Sequence, residues 1–403
     1  MDQMQNQQAL KLSEIVFKLL SADVPFTDIH ISSGMQIMLR QSPYKWVPAA
    51  VDGEAVAVEH DQIVAFLNGI FVGEEEAKPK KKEGLQWREN LHKLGSLHPA
   101  MNLSDVADGV PKTYRVRVTV QKQQMGEAIG LVIRPLSEVP KSIESLGLPF
   151  QVERMLNAAH RGMIIVTGPT GSGKSTTLAA MINELNETRF GNILTIEDPV
   201  EFMHDRKKCI INQRELGIDV NSFADGVRDA LRFVPDVILI GEIRDAETMK
   251  AAVRATESGH LVLASMHAPT SVTAIRKMLA YLSDSQADMQ TLAYLLRGVV
   301  AQALVREKGD TGKNHLASEF LDCTHAQVVQ AIVDSAAGDD VQQKLSKLER
   351  EISSGDVDFA LPMVKSLKKL VVAGLVDALN ASAAVTTNEE KSELLKLVTQ
   401  QRG

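Results

Sequence analysis

Cysteine is scarce in this chain of 403 residues, where only Cys209 and Cys323 occur. Two thiols exclude a disulfide framework and any four-cysteine zinc site built by one chain, and they fit a reducing compartment. Aromatic residues are few, at 4%, and the formal net charge is −7. Both features weigh against a protein that wraps nucleic acid, which needs cations for phosphates and aromatic platforms for bases. Long apolar runs are missing too, and none approaches the roughly 18 residues of a membrane-spanning helix. The start, Met1 to Leu20, is glutamine-rich and unlike a signal peptide; Leu12, Ile15, Val16, Leu19 and Leu20 recur there at the spacing of an amphipathic, core-packed helix. The expected location is the cytoplasm.

What is present is a 44% apolar composition, ample for two packed domains. Within it, Gly168, Pro169, Thr170, Gly171, Ser172, Gly173, Lys174 and Ser175 fit the G-x-x-x-x-G-K-S/T phosphate loop. A triphosphate is a dense anion, and glycines let successive backbone N–H groups approach its oxygens closely. Lys174 can place its ammonium on the outer phosphates and Ser175 can offer a hydroxyl to Mg²⁺, while Thr176 opens a helix whose positive end faces the anion. The run Met163 to Thr167 reads as the buried strand feeding the loop, and Thr176 to Leu185 as the helix leaving it. ATP and Mg²⁺ are the expected ligands.

Upstream, residues 21–72 mix short alternating segments with a helix near Ile63 to Phe71, the pattern of a small α+β domain. The charged run Glu74 to Glu83 carries a proline and reads as a solvated loop within an insertion near 73–110. Beyond it, Thr113 to Val120 alternates as a half-buried strand with Arg115, Arg117 and Thr119 on one face, and Ala128 to Arg134 fits its hairpin partner. Pro135, Pro140 and Pro149 mark an expected hinge linker over 135–149, which separates an N-terminal domain, 1–134, from a second domain, 150–403. In the second domain, strands at Met163 to Thr167, Asn192 to Ile196, Val237 to Ile240 and Leu261 to Ser265 alternate with helical segments, the grammar of a parallel sheet. From about 271 onward the chain reads as mostly helical, with Phe359, Met363, Leu367, Leu370, Val371 and Leu375 on one apolar face.

Two acidic groups end buried strands. Glu242 follows Val237 to Ile240, where a carboxylate can hold Mg²⁺ or its waters, and Glu197 closes the strand before Asp198 and Pro199, where it can orient or deprotonate water. His260 and His267 bracket the next strand, and either could sense a terminal phosphate.

The ordered series GPTGSGKSTTLAA, TIEDPVEF, FADGVRDALR, PDVILIGEIRDAET and ESGHLVLASMHAPTS resembles the secretion and pilus motor ATPases that include PilT, GspE and DotB. The match is strong over about 160–300 and looser in the N-terminal domain, through TDIHISSG and YRVRVTV. The resemblance implies a PAS-like α+β N-domain hinged to a RecA-like α/β P-loop ATPase domain, assembled as a homohexamer. Lys174 and Ser175 then take the Walker A roles, Glu242 the Walker B role and Glu197 that of the catalytic glutamate. His260 and His267 fall in the His box, and Arg115, Arg117 and Arg134 match basic positions that close on the nucleotide. Inner-membrane secretion or pilus proteins are the implied partners, with the chain peripheral at the membrane and no direct nucleic acid.

Too few cysteines are present for the metal module of the GspE type. The A-I-R-N-L-I-R segment of the PilT type is replaced by the stretch His325 to Ile332. That absence favours DotB-like motors of type IVB secretion and plasmid conjugation, with PilT-like pilus retraction as the alternative. A RecA-like nucleic-acid motor is the alternative of a different class, and a nucleotide-gated scaffold without turnover is a further one, opposed by the presence of both Glu197 and Glu242.

Overall fold

The computed structural model describes residues 11–22, 26–42, 45–72, 86–97, 100–107, 110–123, 128–135, 139–140, 142–309, 313–337, 341–355 and 357–400. The run Glu74 to Glu83, expected as a solvated loop, lies outside them. The chain divides into two compact units, Met1–Ser137 and Glu138–Gly403.

In the first unit, valines at alternate positions of the strand Val110–Gln123 set the inner face: Val116, Val118 and Val120 are buried, while Arg115, Arg117 and Thr119 point the other way. Its hairpin partner Ala128–Pro135 pairs with it antiparallel, bringing Arg117 opposite Arg134. Across the sheet the order is Lys45–Pro48, Met38–Ser42, Asp28–Ser32, Ala128–Pro135, Val110–Gln123 and Ser96–Leu97, with Ala100–Ala107 also on Val110–Gln123. The helix Leu12–Ser21 packs Leu12, Ile15, Val16 and Leu19 into the same core, so its apolar stripe is structural. Part of the charged insertion is also structural. Trp87 and Leu91, four apart on the helix Gln86–Leu94, are buried in that core, and Trp87 Nε1 donates to Asn68 Oδ1 at 3.0 Å.

In the second unit the strand order is Cys209–Glu215, Gly191–Glu197, Val237–Ile240, Leu261–Met266, Gly162–Thr167, Leu296–Arg306, Asn314–Asp322 and Ala360–Leu361. The first six run parallel; Asn314–Asp322 pairs antiparallel with Leu296–Arg306, and Ala360–Leu361 pairs antiparallel with Asn314–Asp322. Alternate residues of the parallel strands enter opposite cores. Ile165, Ile196, Ile240 and Ala264 pack with the helices Phe223–Ala230, Ala246–Glu257 and Ser271–Tyr281. On the other face Ile164, Ile193, Leu239 and Leu263 pack with Phe150–Ala158 and Lys174–Thr188. Burial on both faces is why these strands are uninterrupted apolar runs.

The region beyond 271 is mostly helical, as expected, but it also contributes Leu296–Arg306 and Asn314–Asp322 as strands of the main sheet. Alanine, leucine and glutamine there favour helix by propensity, but hydrogen bonding beside Gly162–Thr167 and burial of Gly298 to Gln302 override it. Segment 142–149 is not a free hinge, since Ile143 and Leu148 are buried with Val152 and Leu156. Of the expected C-terminal apolar face, Phe359, Met363, Leu367 and Val371 are buried, whereas Leu375 is exposed. Among the described residues no helix is long and apolar enough to cross a membrane.

Candidate nucleotide site

Register brings the predicted residues together. In four neighbouring parallel strands, Ile196 pairs with Ile240, Ile240 with Ala264 and Thr167 with Met266, so the carboxyl ends align. Glu197, Glu242, His267 and the loop after Thr167 therefore emerge side by side. Three strand spacings separate the first from the last, about 14 Å, room for a chain of phosphates. The cleft they line measures ≈ 620 Å³ and also includes Lys174, Ser175, Asp198, Glu201, His204 and Arg244. Ligands of open α/β sheets bind at this end of the strands.

The phosphate loop is held from below. A side chain at Gly168 would place its Cβ 2.3 Å from Gln302 O and 2.5 Å from Ser172 Oγ, so only glycine fits. Gly173, at φ 85°, starts the helix Lys174–Thr188 from the left-handed region. Gln302, buried on the adjacent strand, donates from Nε2 to Ser172 O at 2.7 Å and accepts from Thr177 Oγ1 at 2.9 Å. That residue was not anticipated; its one signal in the sequence is a polar side chain inside an apolar run. Lys174 Nζ donates to Gly168 O and Pro169 O, both at 3.1 Å, and lies 3.4 Å from His267 Nδ1. Burial lowers its pKa, opposed by the Glu242 carboxylate. Pro169, Thr170, Gly171 and Ser175 are exposed on the loop and first helical turn, and Thr176 is half-buried.

Glu242 is fully engaged. Its Oε1 lies 3.0 Å from His267 Nε2 and its Oε2 accepts from Arg244 Nε at 2.8 Å, while Arg244 Nη1 donates to Asp198 Oδ2 at 3.2 Å. Glu197 Oε1 accepts from Thr195 Oγ1 at 2.7 Å and from Gln213 Nε2 at 3.2 Å. Burial raises the Glu197 pKa, and those two donors oppose the rise. Gln213 also ties the loop beyond Glu197, donating to Phe202 O and accepting from His204 N. Burial drives His204 down to about 4, so it is neutral at pH 7.

His260 is a correction. It precedes Leu261 at the amino end of its strand, about 20 Å from His267 by strand rise, so it does not share the cleft of its own chain. Its Nδ1 lies 2.9 Å from Ala255 O and 3.0 Å from Ser258 Oγ, which closes the turn after the helix Ala246–Glu257. Arg115, Arg117 and Arg134 lie in the first unit. Arg134 is not a free cation, because its Nε and Nη2 hold the buried Asp28 carboxylate at 2.8 and 2.7 Å. Arg115 Nη1 donates to Asn102 Oδ1 at 3.2 Å.

Ser175 and Glu242 offer a hydroxyl and a carboxylate, the hard oxygen donors that suit Mg²⁺. Sheet, loop and acids together define a phosphate-loop protein of the RecA-like α/β class. The family model for type II/IV secretion system proteins matches residues 106–352, and the chain belongs to that family of secretion and pilus ATPases. It is 34% identical to the type IV pilus retraction ATPase PilT of Pseudomonas aeruginosa over 368 residues, 90% of this chain and 94% of the relative. A crystal structure of the pilus retraction motor PilT with bound ADP superposes with a TM-score of 0.72 at 31% identity, covering 94% and 98% of the two chains. The Legionella pneumophila ATPase DotB gives 0.68 at 24% identity, over 89% and 91%, and shares the fold. The preference for a DotB-like motor is thereby corrected, since these matches support the PilT-like alternative better. A few short segments, His325 to Ile332 with FADGVRDALR and GEIRDAET, carried that preference, whereas the similarity to PilT spans nearly the whole chain.

Proposed function

We propose that this protein hydrolyses ATP in the cleft described above and acts as a ring-forming motor of the pilus-retraction type. The observation that carries the catalytic part is the line Lys174, His267, Glu242, Arg244 and Asp198, joined by contacts of 3.4, 3.0, 2.8 and 3.2 Å, with Glu197 beside it. Near-full-length similarity to PilT supports the pilus part.

The phosphate loop and Lys174 bind the outer phosphates and neutralise their charge as it shifts in the transition state. Glu197 Oε1 is held by two donors, which leaves Oε2 to accept a proton from the attacking water. A raised pKa makes that carboxylate a stronger base than an ordinary glutamate. His267 bridges Lys174 and Glu242, with Nε2 3.0 Å from Glu242 Oε1 and Nδ1 3.4 Å from Lys174 Nζ, so one ring holds both charges in place. Ser175 and Glu242 would hold a magnesium ion, which would supply further charge neutralisation.

The test pairs a tube with a cell. Purified wild-type protein should release phosphate from ATP with magnesium, and Glu242→Gln should keep nucleotide binding while losing at least about 10²-fold in turnover. In the native host, Lys174→Ala should leave abundant surface pili that do not retract. Normal pili with lost protein secretion or plasmid transfer would return the assignment to a type IVB motor.

A further inference from the structure

Arg244 stands out because the mechanism above gives it no part, yet it sits in the middle of the charged line. Its Nε bonds Glu242 Oε2 at 2.8 Å and its Nη1 bonds Asp198 Oδ2 at 3.2 Å, so one guanidinium ties the loop after Val237–Ile240 to the loop after Gly191–Glu197. The backbone beneath it is fixed, as Tyr281 Oη donates to Arg244 O at 2.7 Å. Its guanidinium carbon lies 6.0 Å from the centre of the Phe223 ring. The side chain is still 52% exposed, toward a cleft that both its partners line.

Three facts bear on what this cation does. Both oxygens of Glu242 are occupied, one by His267 and one by Arg244. A divalent cation arriving on that carboxylate competes with the guanidinium for its negative charge and repels the guanidinium, which is itself a cation on the same group. Asp198 and Phe223 hold the guanidinium at the cleft even when its bond to Glu242 is released, while Tyr281 fixes the backbone beneath it. A guanidinium carries five donors in a planar fork that matches phosphate oxygens, and two donors suffice for the pairs seen here.

We infer that Arg244 is an exchangeable clamp: it pairs with Glu242 and Asp198 as seen here, and passes from Glu242 to the terminal phosphate when magnesium and a nucleoside triphosphate occupy the cleft. The inference rests on the ATPase reading above. It makes Arg244 a sensor of the third phosphate, able to report triphosphate against diphosphate to the two loops it joins. A simple ion pair between loops would instead be blind to the number of phosphates.

Equilibrium binding separates these roles without turnover. Full-length wild type, Arg244→Ala, Arg244→Lys and Lys174→Ala are titrated with magnesium and either a fluorescent non-hydrolysable ATP analogue or the matching ADP. Arg244→Ala should lose about tenfold or more in affinity for the triphosphate and less than about threefold for ADP, the size expected of a charge-assisted bond. Arg244→Lys, which keeps the charge without the fork, should fall between. Should the alanine variant fail to fold, Arg244→Gln carries the same comparison. Equal losses for both nucleotides, or none, would overturn the clamp. A wild type that binds neither nucleotide, or Lys174→Ala that binds as well as wild type, would overturn the ATPase reading itself.

Discussion

Nε2 of His267 lies 3.0 Å from Oε1 of Glu242, across two adjacent strand ends. A carboxylate only accepts, so that ring nitrogen carries the hydrogen and the other, 3.4 Å from Lys174 Nζ, is left to accept. The histidine thus sets the distance between the loop lysine and the acid.

Removing that spacer should separate the two histidines by function. His267→Ala should lower turnover about 10-fold or more, the scale of a lost positioning contact. His260→Ala should stay within about twofold of wild type in turnover and lose about 1 kcal/mol of stability from the turn it closes. Parallel phosphate-release assays and thermal melts check this, and equal turnover losses in both variants would contradict it.

Gln302 is expected to matter without touching nucleotide. Gln302→Leu removes the donor to Ser172 O and the acceptor for Thr177 Oγ1 in a buried site, which should cost about 1–3 kcal/mol. Chemical denaturation measures the loss. Nucleotide titration should show weaker binding in the same variant, because the loop is no longer held in its phosphate-ready shape.

The pH dependence follows from Glu197. Burial raises its folded pKa above that of the unfolded chain, so folding favours the protonated form. Stability from this group is present below the ordinary glutamate value and is lost as pH climbs through the raised one. Turnover has the opposite slope, since the base works only when ionised. Thr195→Val removes a donor that opposes the rise, so the acid limb of the rate profile should move to higher pH. An unmoved limb would remove Glu197 from the role of base.

In the first unit, Asp28 is 2% exposed and leans on Arg134, with Arg40 farther off at 3.8 Å. Arg134→Met should therefore destabilise this unit by about 1–3 kcal/mol, less than a fully buried pair because the arginine is half-exposed. The companion Asp28→Asn, measured in the same melts, should restore part of the loss, since it removes the stranded charge.

Much of the site was legible locally. The phosphate loop is one continuous segment whose glycines, lysine and flanking strand and helix are local requirements, and the strands that feed it are apolar runs of the right length. Glu242 and His267 could be proposed because an acid or histidine just past a buried strand has one place to go in a parallel sheet. The strands Leu296–Arg306 and Asn314–Asp322 were not legible, because their alanine and leucine content is equally good helix. His260 and His267 look alike as residues; seven positions apart, they lie at opposite ends of one strand.

The sequence by itself determined the chemistry on offer: a phosphate loop, acids at strand ends and apolar runs that must be buried on both faces. Tertiary structure alone decided which groups meet. Strand order, not sequence distance, places Gln302 under the loop, Arg244 between Glu242 and Asp198, and Arg134 on Asp28. The reason is physical: local periodicity fixes a side chain's direction within its element, whereas its partners depend on which elements become neighbours through burial and hydrogen bonding over the whole sheet.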